Sequence, residues 1–283
     1  MLKTRVITAV LLLLALLPTL LAGTALPFAL LTLLMIAAAG WEWSRLNGVV
    51  GPSALVFGAV TGALAWGLHL LVGWDAAPPW CWFMASLLWV LGGSYALRGG
   101  PEQWPHATKT ARMVLGMVAL IAAWLAMVEA KSTGINFLLS IFCLVWVADT
   151  AAYFGGRAFG RRKLAKSISP GKSWEGVWSG MLGVIALAFF WTYYIDVQFA
   201  VDSPSLYQIL LQRNALPWGL LALVFLASMS VVGDLFESLI KRAAGAKDSS
   251  QLLPGHGGVL DRVDALLPVF PLAMALSSLS PLQ

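Results

Sequence analysis

The sequence predicts an all-α fold: a polytopic transmembrane helix bundle of about nine spans with its N-terminus in the cytosol. Three observations carry that prediction. Of 283 residues, 59% are hydrophobic and only 11% are charged, where an ordinary soluble domain carries roughly 25% charged residues. Apolar runs recur at the ~20-residue length that a helix needs to cross hydrocarbon. Lysine and arginine fall on alternate connections, as the positive-inside rule requires of short cytosolic loops.

The runs are 4–22, 25–43, 51–73, 78–97, 113–130, 134–156, 176–195, 216–240 and 265–281. Lys3 and Arg5 stand at the start of the first, and the second ends just before Arg45. The fourth ends at Arg98, and the fifth begins after Lys109 and Arg112. Arg157, Arg161, Arg162, Lys163, Lys166 and Lys172 separate the sixth run from the seventh. Lys241, Arg242, Lys247 and Arg262 separate the eighth from the ninth. Of the 18 basic residues, only Lys131 and Arg213 then fall on the far side. A wrong span count would scramble that alternation. Lys3 and Arg5, with Ala22 and Gly23 after the first run, also fit a signal peptide, but a retained signal-anchor suits a chain whose remainder is itself a bundle.

Several features are structural by this reading. The net charge of +5 restates the loop asymmetry, and no basic recognition module for nucleic acid is present. Cys81 and Cys143 lie in separate spans without metal-ligand spacing. Trp41, Trp43, Trp74, Trp80, Trp82, Trp104, Trp174 and Trp218 sit near span ends, as interfacial anchors do. His69 and His106 are lone histidines. Residues 196–217 form the longest outside loop, with room for a short amphipathic helix.

Polar residues gather in two cytosolic segments, 147–176 and 228–264. Asp149 and Asp234 lie roughly 10–12 Å inside their spans, at 1.5 Å per residue. An ionised side chain at such depth costs ~2.5–3.5 kcal/mol on insertion scales, so a wet cavity, a metal or a basic partner is expected beside each. Asp234, Glu237 and Lys241 share one helix face at i, i+3, i+7, with Glu237 and Lys241 an ordinary pair. Asp261 and Asp264 are also i, i+3, and two close carboxylates favour a hard cation between them. The glycines of "PGHGG", at 255, 257 and 258, let backbone N–H groups approach a phosphate. Lys172, Lys241, Arg242, Lys247 and Arg262 add positive charge, arginine as a fork. Carboxylates, nests and cations on one membrane face suit a Mg2+–polyphosphate ligand.

Ser238–Asp264, "SLIKRAAGAKDSSQLLPGHGGVLDRVD", resembles the signature of the phosphatidate cytidylyltransferases, the CDP-diacylglycerol synthases. Residues 149–176, with "SISPGKSWEG", resemble that family's other cytosolic segment; Ser173 stands where threonine is common. The likeness covers about the last half of the chain. Residues 131–283 are therefore expected to be the catalytic transmembrane region with its two cytosolic loops, and residues 1–130 a set of generic spans. The resemblance implies Mg2+-dependent transfer of a cytidylyl group from CTP to phosphatidic acid, a homodimer, and a metal and nucleotide site at Asp234, Asp248, Asp261 and Asp264. Physical chemistry adds Asp149 as a further metal ligand and leaves room for a second cation. Lys241, Arg242, Lys247 and Arg262 are expected on the triphosphate or pyrophosphate. Ser169, Lys172 and Ser173 are expected on the phosphatidate head or the nucleotide, with His256, Gly257 and Gly258 in the phosphate-binding turn. The expected location is a bacterial-type cytoplasmic membrane, with the site facing the cytosol. A membrane CTP-dependent lipid kinase is the alternative enzyme. An ion-coupled transporter is the alternative class, disfavoured because transporters use internal repeats and midplane sites.

Overall fold

A computed structural model of the chain describes residues 2–73 and 77–280, without the side chains of Leu2, Lys3 and Val72. Trp74 lies outside the described residues. Among them, eight helices are long and apolar enough to cross a membrane, and the chain is an integral membrane protein with multiple spans. In order these are α1 (Leu2–Leu21), α2 (Leu26–Leu46), α3 (Pro52–Val72) and α4 (Pro79–Leu87), which continues through a π turn into α5 (Ser94–Gln103). Then follow α6 (Lys109–Thr133), α7 (Ile135–Phe159), α8 (Trp174–Phe190) extended to α9 (Asp196–Gln198), and α11 (Leu216–Ala243). Breakers in the sequence set several of these bounds: Pro52 opens α3, Thr108 caps α6, and Gly134 parts α6 from α7.

The ninth expected span is shorter than the rest. Helix α13 (Leu266–Ser278) has 13 residues, about 20 Å of rise, too little to cross hydrocarbon alone. It is buried from Leu266 to Ala275, so protein rather than lipid surrounds it. Helix α10 (Leu206–Gln212) packs on it and on α7 and α11. There, Asn214 donates from Nδ2 to Ser280 Oγ at 2.8 Å. The helix expected in the outside loop thus exists, but its residues Leu206–Tyr207 and Ile209–Leu211 are buried instead of lying on an interface.

Three of the expected interfacial tryptophans are also interior. Trp43, Trp82 and Trp104 are buried, and Trp43, Trp89 and Trp104 surround Phe236 of α11 at centroid distances of 5.4–6.0 Å. The indoles of Trp43 and Trp104 donate to Arg112 O and Asn47 Oδ1. Trp80, Trp174 and Trp218 are exposed as anchors should be. His69 is buried against Trp66 and Trp124, the structural role expected.

The two ends of the bundle differ. At one, Asp202 accepts from the first amides of α7, Ile135 at 2.6 Å and Asn136 at 2.9 Å. Burial pushes the Asp202 carboxyl up, but these amides outweigh it and hold it below its usual range. Its stabilising effect is therefore present above the ordinary aspartate pKa and is lost as acid protonates it. Asp202→Ala is expected to cost about 1–2 kcal/mol, as losing a helix cap does, lowering the melting temperature in detergent while folded protein keeps its turnover. The other end carries the basic loops. Between α7 and α8 lies the one sheet among the described residues, an antiparallel hairpin of β1 (Lys163–Ala165) and β2 (Ser169–Ser173).

Candidate active site

The site forms at the basic end, around the last three turns of α11. Asp234, Glu237 and Lys241 lie on one face of that helix, as their spacing dictates. From α7 and α8 the hairpin β1–β2 reaches across: Lys172 Nζ contacts Asp234 Oδ2 at 2.5 Å. From the far side the loop 244–259 and α12 (Leu260–Val263) bring Asp261, whose Oδ1 accepts from Lys241 Nζ at 2.6 Å. Lys241 also pairs with Glu237. Glu237 and Asp261 are both nearly enclosed, with side-chain exposures of 3% and 7%.

Asp261 is the best-held group. Its Oδ2 accepts from Ser249 N at 2.9 Å, Ser249 Oγ at 2.8 Å and Gly258 N at 2.7 Å. Burial alone would raise its carboxyl, but Lys241 and these amides hold it at about 2. Gly257, at φ +81°, makes the turn possible; a Cβ there would stand 2.7 Å from Asp261 Oδ2. Of the glycines expected at the phosphate-binding turn, Gly258 thus has its amide on the protein's own Asp261 carboxylate.

Asp264 sits one turn on, between α12 and α13, its backbone packed on Gly233. Burial and the nearby Asp234 carboxylate push its carboxyl up to about 7, against the pull of Ala265 N, Lys172 and Lys241. Asp149 is exposed on α7, within electrostatic reach of Asp234, Lys172 and Arg262. Among the described residues, no three His, Cys, Asp or Glu side chains converge as a ready metal cage. What converges is a pair of hard oxygen donors, Asp234 and Asp264, beside Lys172.

The remaining expected residues fall around this centre. Arg262 is exposed, and its Nη2 donates to His256 O at 2.6 Å, bracing the turn. Arg242 Nε donates to Ile168 O at 3.3 Å, joining α11 to the hairpin. Lys247 and Asp248 are exposed on the loop, and Ser169 is half-buried at the start of β2. Ser173 is buried, with its hydroxyl capping α8 through Gly176 N, a local role that the motif did not suggest. One residue escaped the sequence reading altogether. Glu42 of α2, fully buried, accepts hydrogen bonds from Ser249, Ser250, Val259 and Leu260. It is a carboxylate within an apolar run, the same signal that singled out Asp149 and Asp234.

Helix α1 also reaches this end: Thr8 Oγ1 donates to Pro254 O at 2.8 Å. The arrangement offers carboxylates for a divalent cation and cations for phosphate.

Comparison with known proteins agrees with this chemistry. A family model described as "Cytidylyltransferase family" matches residues 3–280. A phosphatidate cytidylyltransferase of Pseudomonas aeruginosa is 37% identical over 98% of this chain and 97% of its own length. The Haemophilus influenzae protein of that name is 49% identical over 138 residues, covering 49% of this chain and 44% of the relative. That of Staphylococcus epidermidis is 38% identical over 145 residues, 51% of this chain and 50% of the relative. The likeness thus extends through the first half, beyond the motifs that announced it.

Proposed function

This chain belongs to the cytidylyltransferase family, and from that premise we infer that the basic-end site is a phosphatidate cytidylyltransferase centre: it transfers a cytidylyl group from CTP to phosphatidate, releasing pyrophosphate and forming CDP-diacylglycerol for phospholipid synthesis. The observation that carries the reading is the convergence of Asp234, Asp264 and Lys172, drawn from three separated segments, at the end of the bundle where the basic loops lie.

A phosphate oxygen of phosphatidate attacks the α-phosphorus of CTP, and the bond to the β-phosphate oxygen breaks. The attacking monoester has a second pKa near ~6, so it arrives mostly dianionic, and no general base is needed. The obstacle is repulsion between polyanions, which positioned cations relieve. Asp234 and Asp264 suit Mg2+, which takes one or two carboxylates and completes its shell with water and substrate phosphates. When bound, Mg2+ would neutralise charge on the phosphates. Asp149 stands by as a further ligand, for this ion or for a second cation.

Lys172 is held by Asp234 until substrate phosphate competes for it. Lys241 is already shared by Glu237 and Asp261, so its part is to fix Asp261 and lend field to the departing pyrophosphate. Arg242, Lys247 and Arg262, exposed around the rim, meet the triphosphate, with the turn at His256, Gly257 and Gly258 shaping the loop that carries them and Asp248 on that loop facing the cation. Ser169 and Ser173 bound the approach from the hairpin. The expected setting is a bacterial cytoplasmic membrane with this end in the cytosol, where CTP is available and the lipid head reaches the site from the leaflet. The bacterial relatives and the loop charges support it. Assembly as a homodimer belongs to the same reading.

The test is an assay of purified protein in mixed micelles with CTP and phosphatidate, with and without Mg2+. Equimolar pyrophosphate and CDP-diacylglycerol are expected, dependent on the metal. Release of CDP with a doubly phosphorylated lipid would make the chain a kinase and overturn the reading. A Lys172→Met variant is expected to lose about tenfold or more in turnover, as removal of a charged phosphate contact does, read in the same assay.

A further inference from the structure

We propose that Glu42 is a positioning residue for this reaction: from inside α2 it holds the loop 249–260 in the one arrangement that seats Asp261, and through it Lys241, beside the nucleotide phosphates. The proposal rests on the cytidylyltransfer reading and carries it into the first half of the chain.

Glu42 is fully buried. Its Oε1 accepts from Ser250 Oγ at 2.5 Å and Val259 N at 2.9 Å. Its Oε2 accepts from Leu260 N at 2.6 Å and Ser249 Oγ at 3.2 Å. A buried carboxylate is tolerated only where its acceptors are satisfied, and here all four donors come from one loop, more than 200 residues away in sequence. Nothing in α2 itself needs the charge. An apolar residue would pack there, so the carboxylate serves the loop.

The line from Glu42 to the phosphates is short. Ser249 Oγ lies between Glu42 Oε2 and Asp261 Oδ2, 2.8 Å from the latter, and the other oxygen of Asp261 holds Lys241. Shifting the loop therefore shifts Asp261 and releases Lys241. Gly258 closes the joint: a Cβ there would lie 2.0 Å from Ser249 Oγ and 2.4 Å from Glu42 Oε1. Only hydrogen fits between the two carboxylate supports.

Glu42→Gln tests this with almost no change of shape. Oε1 accepts from the Val259 amide and Oε2 from the Leu260 amide, so the NH2 of glutamine must oppose one of these backbone N–H groups, and the loop loses its register. The expected result is a protein that inserts normally, with kcat/KM for CTP down about 10–100-fold, the range for losing a group that orients a functional one, and an unchanged KM for phosphatidate. Equilibrium binding of CTP in Mg2+, without lipid, should weaken in parallel. Ser249→Ala should lower the same parameter, and the double variant should be no worse than the more damaged single one, because linked residues are not additive. Thr32→Val, which removes another buried polar group of α2, serves as the control: it is expected to lower stability alone. If Glu42→Gln changes only the yield of folded protein, with native CTP affinity and effects additive with Ser249→Ala, the proposal is wrong. Should the native protein form no CDP-diacylglycerol, the cytidylyltransfer reading fails instead, and unchanged CTP affinity in Glu42→Gln still overturns the role of Glu42.

Discussion

Asp264→Asn is expected to cut kcat by about 10²–10³-fold, the scale of losing a positioned electrostatic group, without destabilising the protein. The two effects separate because of where Asp264 stands. Burial and Asp234 hold its carboxyl near 7, above its value in the unfolded chain. A raised carboxyl binds its proton more tightly when folded, so its contribution favours folding at low pH and turns against it as pH climbs through 7. Asparagine keeps the shape and removes that charge. At pH 8 without Mg2+, the variant should therefore melt at the native temperature or above. Added Mg2+ should raise the melting point of the native protein, since a ligand bound only by the folded state stabilises it, and leave the variant's unchanged. Thermal scans with and without Mg2+, beside the turnover assay, check all three statements. A variant with native turnover would remove Asp264 from the metal site.

Lys241→Met is expected to abolish activity for a different reason, loss of the site's frame. Lys241 lies between Glu237 and Asp261, and both are nearly enclosed. Removing one partner of a buried ion pair leaves an uncompensated charge and costs about 3–5 kcal/mol; here Asp261 loses its cation beside the buried Glu237 carboxyl. The expected outcome is a lower melting temperature, poor recovery from detergent and no turnover. Adding Glu237→Gln to Lys241→Met should restore part of the stability, because one acidic group fewer stands beside Asp261, yet activity should stay lost. Equal instability in the single and double variants would mean that Lys241 stabilises by packing, not by charge.

Much of this arrangement was legible in the residues. The spacing of basic loops located the spans and their alternation, since a misplaced span puts arginine on the wrong side. Asp149 and Asp234 announced themselves by depth, and the loop 244–264 by its density of glycine and charge. The sequence was less explicit about three things. Composition alone could not tell the ninth span from a short helix enclosed by protein, because Leu266–Ala275 is apolar in either setting. Trp43 and Trp104 lie near helix ends, where an anchor and a core residue look alike until Phe236 is placed between them. Glu42 sits in "GWEWSRL", where Arg45 and the tryptophans drew attention to topology and anchoring. Its four partners lie so far along the chain that no local spacing could pair them. That the amides of Gly258, Val259 and Leu260 go to Asp261 and Glu42 could not be read from the glycines, because the acceptors are set by tertiary packing.

The bond from Thr8 to Pro254 and those from Glu42 to the same loop have a bearing on biogenesis. Helices α1 and α2 are made well before the loop they bind, which follows more than 200 residues later. A nascent chain thus carries empty sockets through that stretch of elongation, and the enzyme stays silent until the loop has been threaded home.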